Sequence, residues 1–151
     1  MTIIDAENSI LGRLASKVAK RALLGENIII INAEKALLSG KQKNILADEL
    51  KELKIRNIGN PLKGPFYQRR PDRYVRRVIK RMLPMEKKKG RDAFKRIMVY
   101  YGIPKEEIKK RHNIEVDEVK IEKIEDSIKN ISNSLTVGEI CKFISGKNKN
   151  A

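Results

Sequence analysis

Five basic residues, Arg73, Arg76, Arg77, Lys80 and Arg81, fall within nine positions of the segment PDRYVRRVIKRMLP. Wound as a helix, the segment puts all five on one side, while Tyr74, Val75, Val78, Ile79, Met82 and Leu83 repeat at i, i+4 and i+8 in two adjacent rows on the other. Pro71 suits the first helical position, Asp72 complements the positive end of the helix dipole, and Pro84 stops the run. No acid interrupts the basic face, so Arg73/Arg77, Arg77/Arg81 and Arg76/Lys80 are like-charge pairs, each costing roughly 0.2 to 0.5 kcal/mol. A face that merely meets water mixes its signs. A basic amphipathic helix also suits a membrane surface or calmodulin, but this one sits mid-chain and its apolar side is required by a core. The chemistry that fits best is phosphate binding, in which Lys and Arg neutralise backbone oxygens and release counterions.

The same chemistry continues on both sides of that helix. Lys63, Arg69 and Arg70 precede it, and Lys87, Lys88, Lys89, Arg91, Lys95 and Arg96 follow it. Residues 54–112 hold 20 Lys and Arg against 5 Asp and Glu, so they carry the whole net charge of +15, and the two flanks cancel to zero. An excess so localised is a surface for a polyanion. Phe66 and Tyr67 are placed either to stack on an unpaired base or to pack under the loop; packing is favoured, and Tyr67 is kept among the candidate contacts. The run Glu86-Lys87-Lys88-Lys89-Gly90 reads as a loop that orders on binding.

The elements that must hold these residues follow from period and punctuation. Thr2 to Ala6 is a short apolar strand, with Asn8 and Ser9 as candidate caps for a helix carrying Leu11, Leu14, Ala15, Val18 and Ala22 on one side and ending at Gly25. Ile28 to Ile31 is a run of four β-branched residues, which predicts a strand buried on both faces of a parallel sheet. Leu37-Leu38 adds a short strand, and Lys41 to Lys54 a helix facing the core with Ile45, Leu46, Leu50 and Leu53. The stretch 57–71, with three prolines and two glycines, is a loop. Arg91 to Arg96 reads as helical and Ile97 to Tyr101 as a returning strand closed by Gly102. Around Ile114/Val116 and Val119/Ile121 apolar residues alternate with acids, as either a strand or an irregular segment. Thr136 and Glu139 form a capping box with Leu135 and Ile140 as its staple; Val137, Ile140, Cys141 and Ile144 make the apolar face, and Gly146 closes the helix before a mobile tail, 147–151.

Catalytic chemistry finds little to work with. The single His112 has no partner at metal-ligand spacing and reads as a surface residue beside Arg111; the single Cys141 reads as core, and its solitude points to a reducing compartment. No G-x-G-x-x-G occurs, and in Gly59-Asn60-Pro61-Leu62-Lys63-Gly64 the P-loop pattern fails because Pro65 and Phe66 stand where Lys and Ser/Thr must be. Asp5, Glu7 and Glu34 are better explained by capping and turns than by catalysis. The 151 residues suit one α/β domain without leader or membrane span, so a soluble cytoplasmic protein with no cofactor, metal or small-molecule substrate is expected. Two functions remain open: a structural protein that binds RNA, and an RNA- or nucleotide-processing enzyme on an α/β fold.

Four blocks in order, IDAENSILGRLASKVAKRALLG, IIIINAEKALLSGK, GPFYQRRPDRYVRRVIKRMLP and GRDAFKRIMVYYGIP, resemble the large-subunit ribosomal protein L13 family over roughly residues 3–104. The resemblance is to the archaeal and eukaryotic branch, since bacterial members carry a His-Pro-His stretch where Ile103-Pro104-Lys105 follows Gly102 here. It implies a three-layer α/β/α domain with a four-stranded parallel sheet, to which the residues themselves add a basic loop-helix-loop in the middle and the capped helix at the C-terminus. It also implies a place in the ribosome beside other large-subunit proteins, early incorporation during assembly, and rRNA contacts at the basic positions of the third and fourth blocks.

Overall fold

A computed structural model describes residues 1–113, 121–124 and 133–146. Strand β1 (Thr2–Asp5) leads through helix α1 (Leu11–Leu23) to β2 (Ile28–Ile31), which lies parallel to β1 with Ile3 opposite Ile29 and Ile4 opposite Ile30. Then come β3 (Leu37–Ser39), α2 (Gln42–Lys54), α3 (Pro71–Arg81), α4 (Lys88–Lys95), β4 (Ile97–Val99), α5 (Lys105–His112), β5 (Ile121–Glu122), β6 (Ser134–Thr136) and α6 (Val137–Ile144). The main sheet is four-stranded and parallel, in the order β4-β2-β1-β5. The short strand at Leu37 does form, but β3 pairs antiparallel with β6 in a separate two-stranded sheet.

Alternation along the strands divides the core. Ile4, Ile28 and Ile30 join Leu14, Val18, Val75, Ile79, Val137 and Ile140 on the face covered by α1, α3 and α6. Ile3, Ile29 and Ile31 point the other way, onto Tyr100 and Ile108. All four isoleucines of β2 are buried, as a strand between two helical layers requires. The three-layer α/β/α arrangement follows, with the thin side supplied by α5. That helix carries one buried residue, Ile108, and so has no apolar period to announce it in the sequence. Arg21 ties the edge of the sheet down: Nη1 stands 2.8 Å from Glu122 on β5 and Nε 2.8 Å from Glu26, contacts that raise its pKa with Glu122 the larger cause.

Helix ends show where local reading succeeds and fails. Gly25 sits at φ +107 after α1, and the amides of Gly25 and Glu26 donate to the Ala22 and Arg21 carbonyls, the paired bonds of a Schellman stop. At the other end Asn8 and Ser9 are not caps: Ile10 takes the N-cap position, Asn8 turns the chain at φ +57, and Ser9 Oγ is buried without a partner. The Ser9 carbonyl instead accepts from Leu37 N at 2.8 Å, which places this turn in service of β3. The capping box of α6 is complete, with Glu139 N donating to Thr136 Oγ1 and Thr136 N to Glu139 Oε2. Helix α2 forms as expected, yet none of its residues is fully buried and Leu50 is exposed.

The lysine run is a correction. Lys88 and Lys89 belong to the first turn of α4, so the middle of the chain is loop, helix and helix rather than loop, helix and loop. Gly90 explains it: the residue is buried, and a Cβ there would overlap the Pro84 carbonyl, so only glycine lets α4 start this close to the end of α3. His112 is a second correction, for it is half-buried, with Nε2 3.1 Å from the Tyr100 hydroxyl and the rings at 90°. Of the segment around Ile114 to Ile121, expected as strand or irregular, Ile121 opens β5 while 114–120 lie outside the described residues, as does the tail over 147–151. No helix among them is long and apolar enough to cross a membrane.

Two expectations follow. Gly12→Ala, inside α1 and facing open space, should raise stability by up to about 1 kcal/mol. Gly90→Ala, also helical, should lower it by roughly 1 to 3 kcal/mol because a backbone carbonyl must move; paired urea melts read both. Burial pushes the Cys141 thiol up to about 12, so the folded state holds its proton through the pH range where an unfolded thiol ionises. Stability should therefore decline as pH rises above the unfolded thiol's value, and iodoacetamide at pH 8 should label Cys141 only after denaturant is added.

Candidate nucleic-acid interface

Helix α3 is built as the sequence predicts, with Pro71 at its first position and Asp72 in its first turn. Tyr74, Val75 and Ile79 are buried together with Leu83, whereas Met82, the last of the expected apolar row, stands exposed. The Tyr74 hydroxyl reaches Glu49 of α2 at 2.6 Å; burial first and that carboxylate second raise its pKa well beyond the ordinary phenol value. Because this side is consumed by the core, the cations are forced outward. Arg73, Lys80 and Arg81 are exposed, and Arg76 and Arg77 are half-buried.

The two half-buried arginines are held by aromatic rings. The Arg76 guanidinium lies 4.6 Å from the centroid of Phe94 on α4, and that of Arg77 lies 5.2 Å from the centroid of Tyr67 in the loop. Stacking fixes a guanidinium while its N–H groups, which lie in the plane, remain available. Tyr67 is thus half-buried and packs, as expected of the pair, but Phe66 beside it is 71% exposed. Acids enter this surface from a helix that the charge pattern does not show. Glu52 of α2 approaches Arg77 Nη2 at 3.6 Å and Arg81 Nη1 at 3.9 Å, and Asp72 sits 3.1 Å from Arg70 Nε.

The remaining candidates divide by position. Arg73, Arg76, Arg77 and Lys80 share an open groove of about 520 Å³ with Phe66 and Phe94. Arg77, Lys80, Arg81 and Lys87 share a second hollow, of about 560 Å³, past the end of α3. Lys63 and Arg69 project from the loop, and Arg91 and Lys95 from α4, all exposed. Lys88, Lys89 and Arg96 are turned away from α3: they line a hollow at the end of α1, where Arg96 Nη1 stands 3.5 Å from the Ala22 carbonyl. Arg96 therefore has a fold-holding contact that sequence spacing alone does not reveal.

An enzyme on a parallel sheet would place its reactive groups beyond the carboxyl ends of the strands. Here those groups are engaged with one another. Asp5 Oδ1 accepts from Asn32 Nδ2 at 2.9 Å and from the Glu7 amide at 3.0 Å, and Lys123 lies 3.5 Å from Asp5 Oδ2 and 3.7 Å from Glu7 Oε2. Glu7 also meets Lys35 at 2.6 Å, which lowers the carboxyl's pKa and raises the ammonium's. Glu34 accepts from the Gly102 amide at 3.0 Å. Asp5 thus has the turn role expected of the three acids, whereas Glu7 is held by ion pairs and Glu34 by a long-range amide. Among the described residues no group of three or more His, Cys, Asp or Glu side chains is placed to hold a metal ion.

The family model described as Ribosomal protein L13 matches residues 1–106. The "Large ribosomal subunit protein uL13" of Methanocaldococcus jannaschii is 45% identical over 148 residues, 97% of this chain and 99% of the relative. That of Methanopyrus kandleri is 54% identical over 104 residues, 69% of this chain and 64% of the relative. That of Archaeoglobus fulgidus is 38% identical over 143 residues, 95% of this chain and 86% of the relative.

Glu52 tempers the cationic surface, so Glu52→Gln should free Arg77 and Arg81. The variant should elute from immobilised heparin at higher salt than the parent, with an affinity gain below about fivefold because exposed pairs at 3.6 and 3.9 Å are worth at most about 1 kcal/mol.

Proposed function

Because this chain belongs to the ribosomal protein L13 family, a family of structural and non-enzymatic ribosome components, we propose that it binds large-subunit rRNA through the outer face of α3 and the basic residues beside it. The observation that carries the reading is α3 itself. One side is locked into the core by Val75 and Ile79, both fully buried, so five cations within nine positions are presented as a fixed array. Phosphate contacts of this kind set position and supply affinity without reading sequence. Lys63, Arg69, Arg70, Lys87, Arg91 and Lys95 extend the array along the loop and α4. Lys88, Lys89 and Arg96 serve a separate patch at the end of α1, and Tyr67 acts as the seat of Arg77 rather than as a direct contact.

Neighbouring large-subunit proteins are the expected protein partners, and the ribosome is the site of action. A rigid cationic surface also suits early assembly, since it brings rRNA segments together by neutralising their mutual repulsion before later proteins arrive. The engagement of Asp5, Glu7 and Glu34 in turns and ion pairs supports this reading over a nucleotide-processing enzyme.

The test is salt dependence. Changing Arg73, Arg77 and Arg81 together to Gln should weaken binding to a large-subunit rRNA fragment and reduce the log-log salt slope by between about one and three units, the lower figure applying if Glu52 already neutralises part of Arg77 and Arg81. An unchanged slope between 50 and 200 mM salt, read by fluorescence anisotropy, would remove α3 from the interface.

A further inference from the structure

The groove between the loop and α4 has a makeup that backbone neutralisation does not require. It is lined by Arg73, Arg76, Arg77 and Lys80, the i, i+3, i+4, i+7 stripe of α3, together with Phe66, Gln68 and Phe94. Of the two rings, Phe94 has a face occupied by the Arg76 guanidinium, while Phe66 is 71% exposed. Phe66 is nonetheless seated. Gly64, at φ +80, lies directly against the ring, so close that a Cβ there would stand 3.0 Å from Cδ2 and 3.1 Å from Cε2. Glycine thus lies against the Cδ2–Cε2 edge of the ring, and most of the rest of the side chain is open to solvent. In the α3 stripe, Arg76 Nε is buried without a hydrogen-bonding partner, in a structure whose other buried side-chain donors and acceptors among the described residues are satisfied apart from Ser9 Oγ.

An aromatic face held beside four cations, with no acid lining the groove, matches one kind of ligand: a planar base joined to phosphates. A duplex keeps its bases stacked inside and presents phosphates, 2′-hydroxyls and base edges but no base face, leaving Phe66 nothing to stack on. The opening of about 520 Å³ lies within the size range of sites that enclose small ligands. We infer that this groove takes a single unpaired nucleotide of the rRNA, its base on the free face of Phe66 and the phosphates on either side of it on Arg73, Arg76, Arg77 and Lys80. The inference rests on the rRNA-binding reading and adds to it a contact whose strength is independent of salt. Gly64 acts as a positioning residue, since any side chain there would tip the Phe66 ring.

The experiment compares two labelled RNA hairpins, one fully paired and one identical but for a single bulged adenosine, binding to the full chain at several salt concentrations. The parent should prefer the bulged hairpin. Phe66→Leu should lower affinity for the bulged hairpin by about tenfold and leave both the paired hairpin and the salt slope unchanged, and Phe66→Tyr should restore the preference. Adenosine monophosphate at millimolar concentration should not displace the bulged hairpin. A parent that binds both hairpins equally overturns this inference alone, whereas a parent that binds neither overturns the rRNA reading and this inference with it. Displacement by the free nucleotide overturns the rRNA as its source. Unchanged RNA binding by Phe66→Leu, with weakened co-sedimentation on large subunits, assigns Phe66 to a protein neighbour and also overturns it.

Discussion

The burial of Val75 and Ile79 beneath α3 is the constraint on which the rest depends. Both are fully buried, and each such side chain contributes roughly 1.5 to 3 kcal/mol when taken out of water. The three like-charge pairs that this orientation lines up on the outer face cost roughly 0.2 to 0.5 kcal/mol apiece. Burial wins, so the helix cannot rotate to spread its cations, and a surface that is unfavourable in isolation becomes a permanent feature of the folded chain. A phosphate bound on that face would relieve the repulsion stored there.

Residual repulsion is managed from underneath rather than along the helix. Glu49 and Glu52 lie on α2, a helix without a fully buried residue, whose contribution is to bring two carboxylates to the side of α3. Glu49 engages the Tyr74 hydroxyl on the inner side, and Glu52 lies between Arg77 and Arg81 on the outer. Because the Glu52 contacts are long and the partners partly exposed, they steady the arginines and offset only part of their charge. The neutral flanks have a matching role: they supply three of the four strands of the main sheet together with α1 and α6, against which α3, β4 and α5 of the charged segment pack.

Elements whose cause is local were legible in the sequence. Four consecutive isoleucines, Pro71 at a first turn, Gly25 after a periodic stretch and the Thr136/Glu139 box each state their own structure within a few residues. What escaped was decided at a distance. Lys88 and Lys89 read as a loop because they stand in an unbroken charge run, yet the missing side chain of Gly90 is what lets α4 start against the Pro84 carbonyl. Helix α5 hides because a helix covering a sheet with Ile108 alone has no period; its signals were Glu106 and Glu107 in the first turn, Lys109 to Arg111 in the last, and Asn113 at φ +53 beyond. Of the candidate site, the basic positions were legible from charge, but the arrangement of Arg76 on Phe94, Arg77 on Tyr67 and Arg96 on the α1 terminus was not. Those contacts join residues 10 or more positions apart, beyond the reach of helical spacing.

The choice of aromatic seats for two central arginines has a physical logic of its own. An arginine fixed by a carboxylate has spent its in-plane donors, and a phosphate must first displace the acid and bear the cost of leaving it unpaired. An arginine resting on a ring is held through its face, which no phosphate oxygen uses, so its donors stay aimed outward and little side-chain freedom is left to lose on binding. Arg76 on Phe94 at 4.6 Å meets no carboxylate among the described residues, although its Nε is itself buried, whereas Arg77 on Tyr67 shares itself with Glu52. The middle of α3 is accordingly the part of the surface that would need the least rearrangement to meet a phosphate. The long exposed lysines at 87 and 80 still have most of their rotamer entropy to give up. Affinity per cation should thus be uneven across a surface whose charge looks uniform, greatest where a ring lies under a guanidinium.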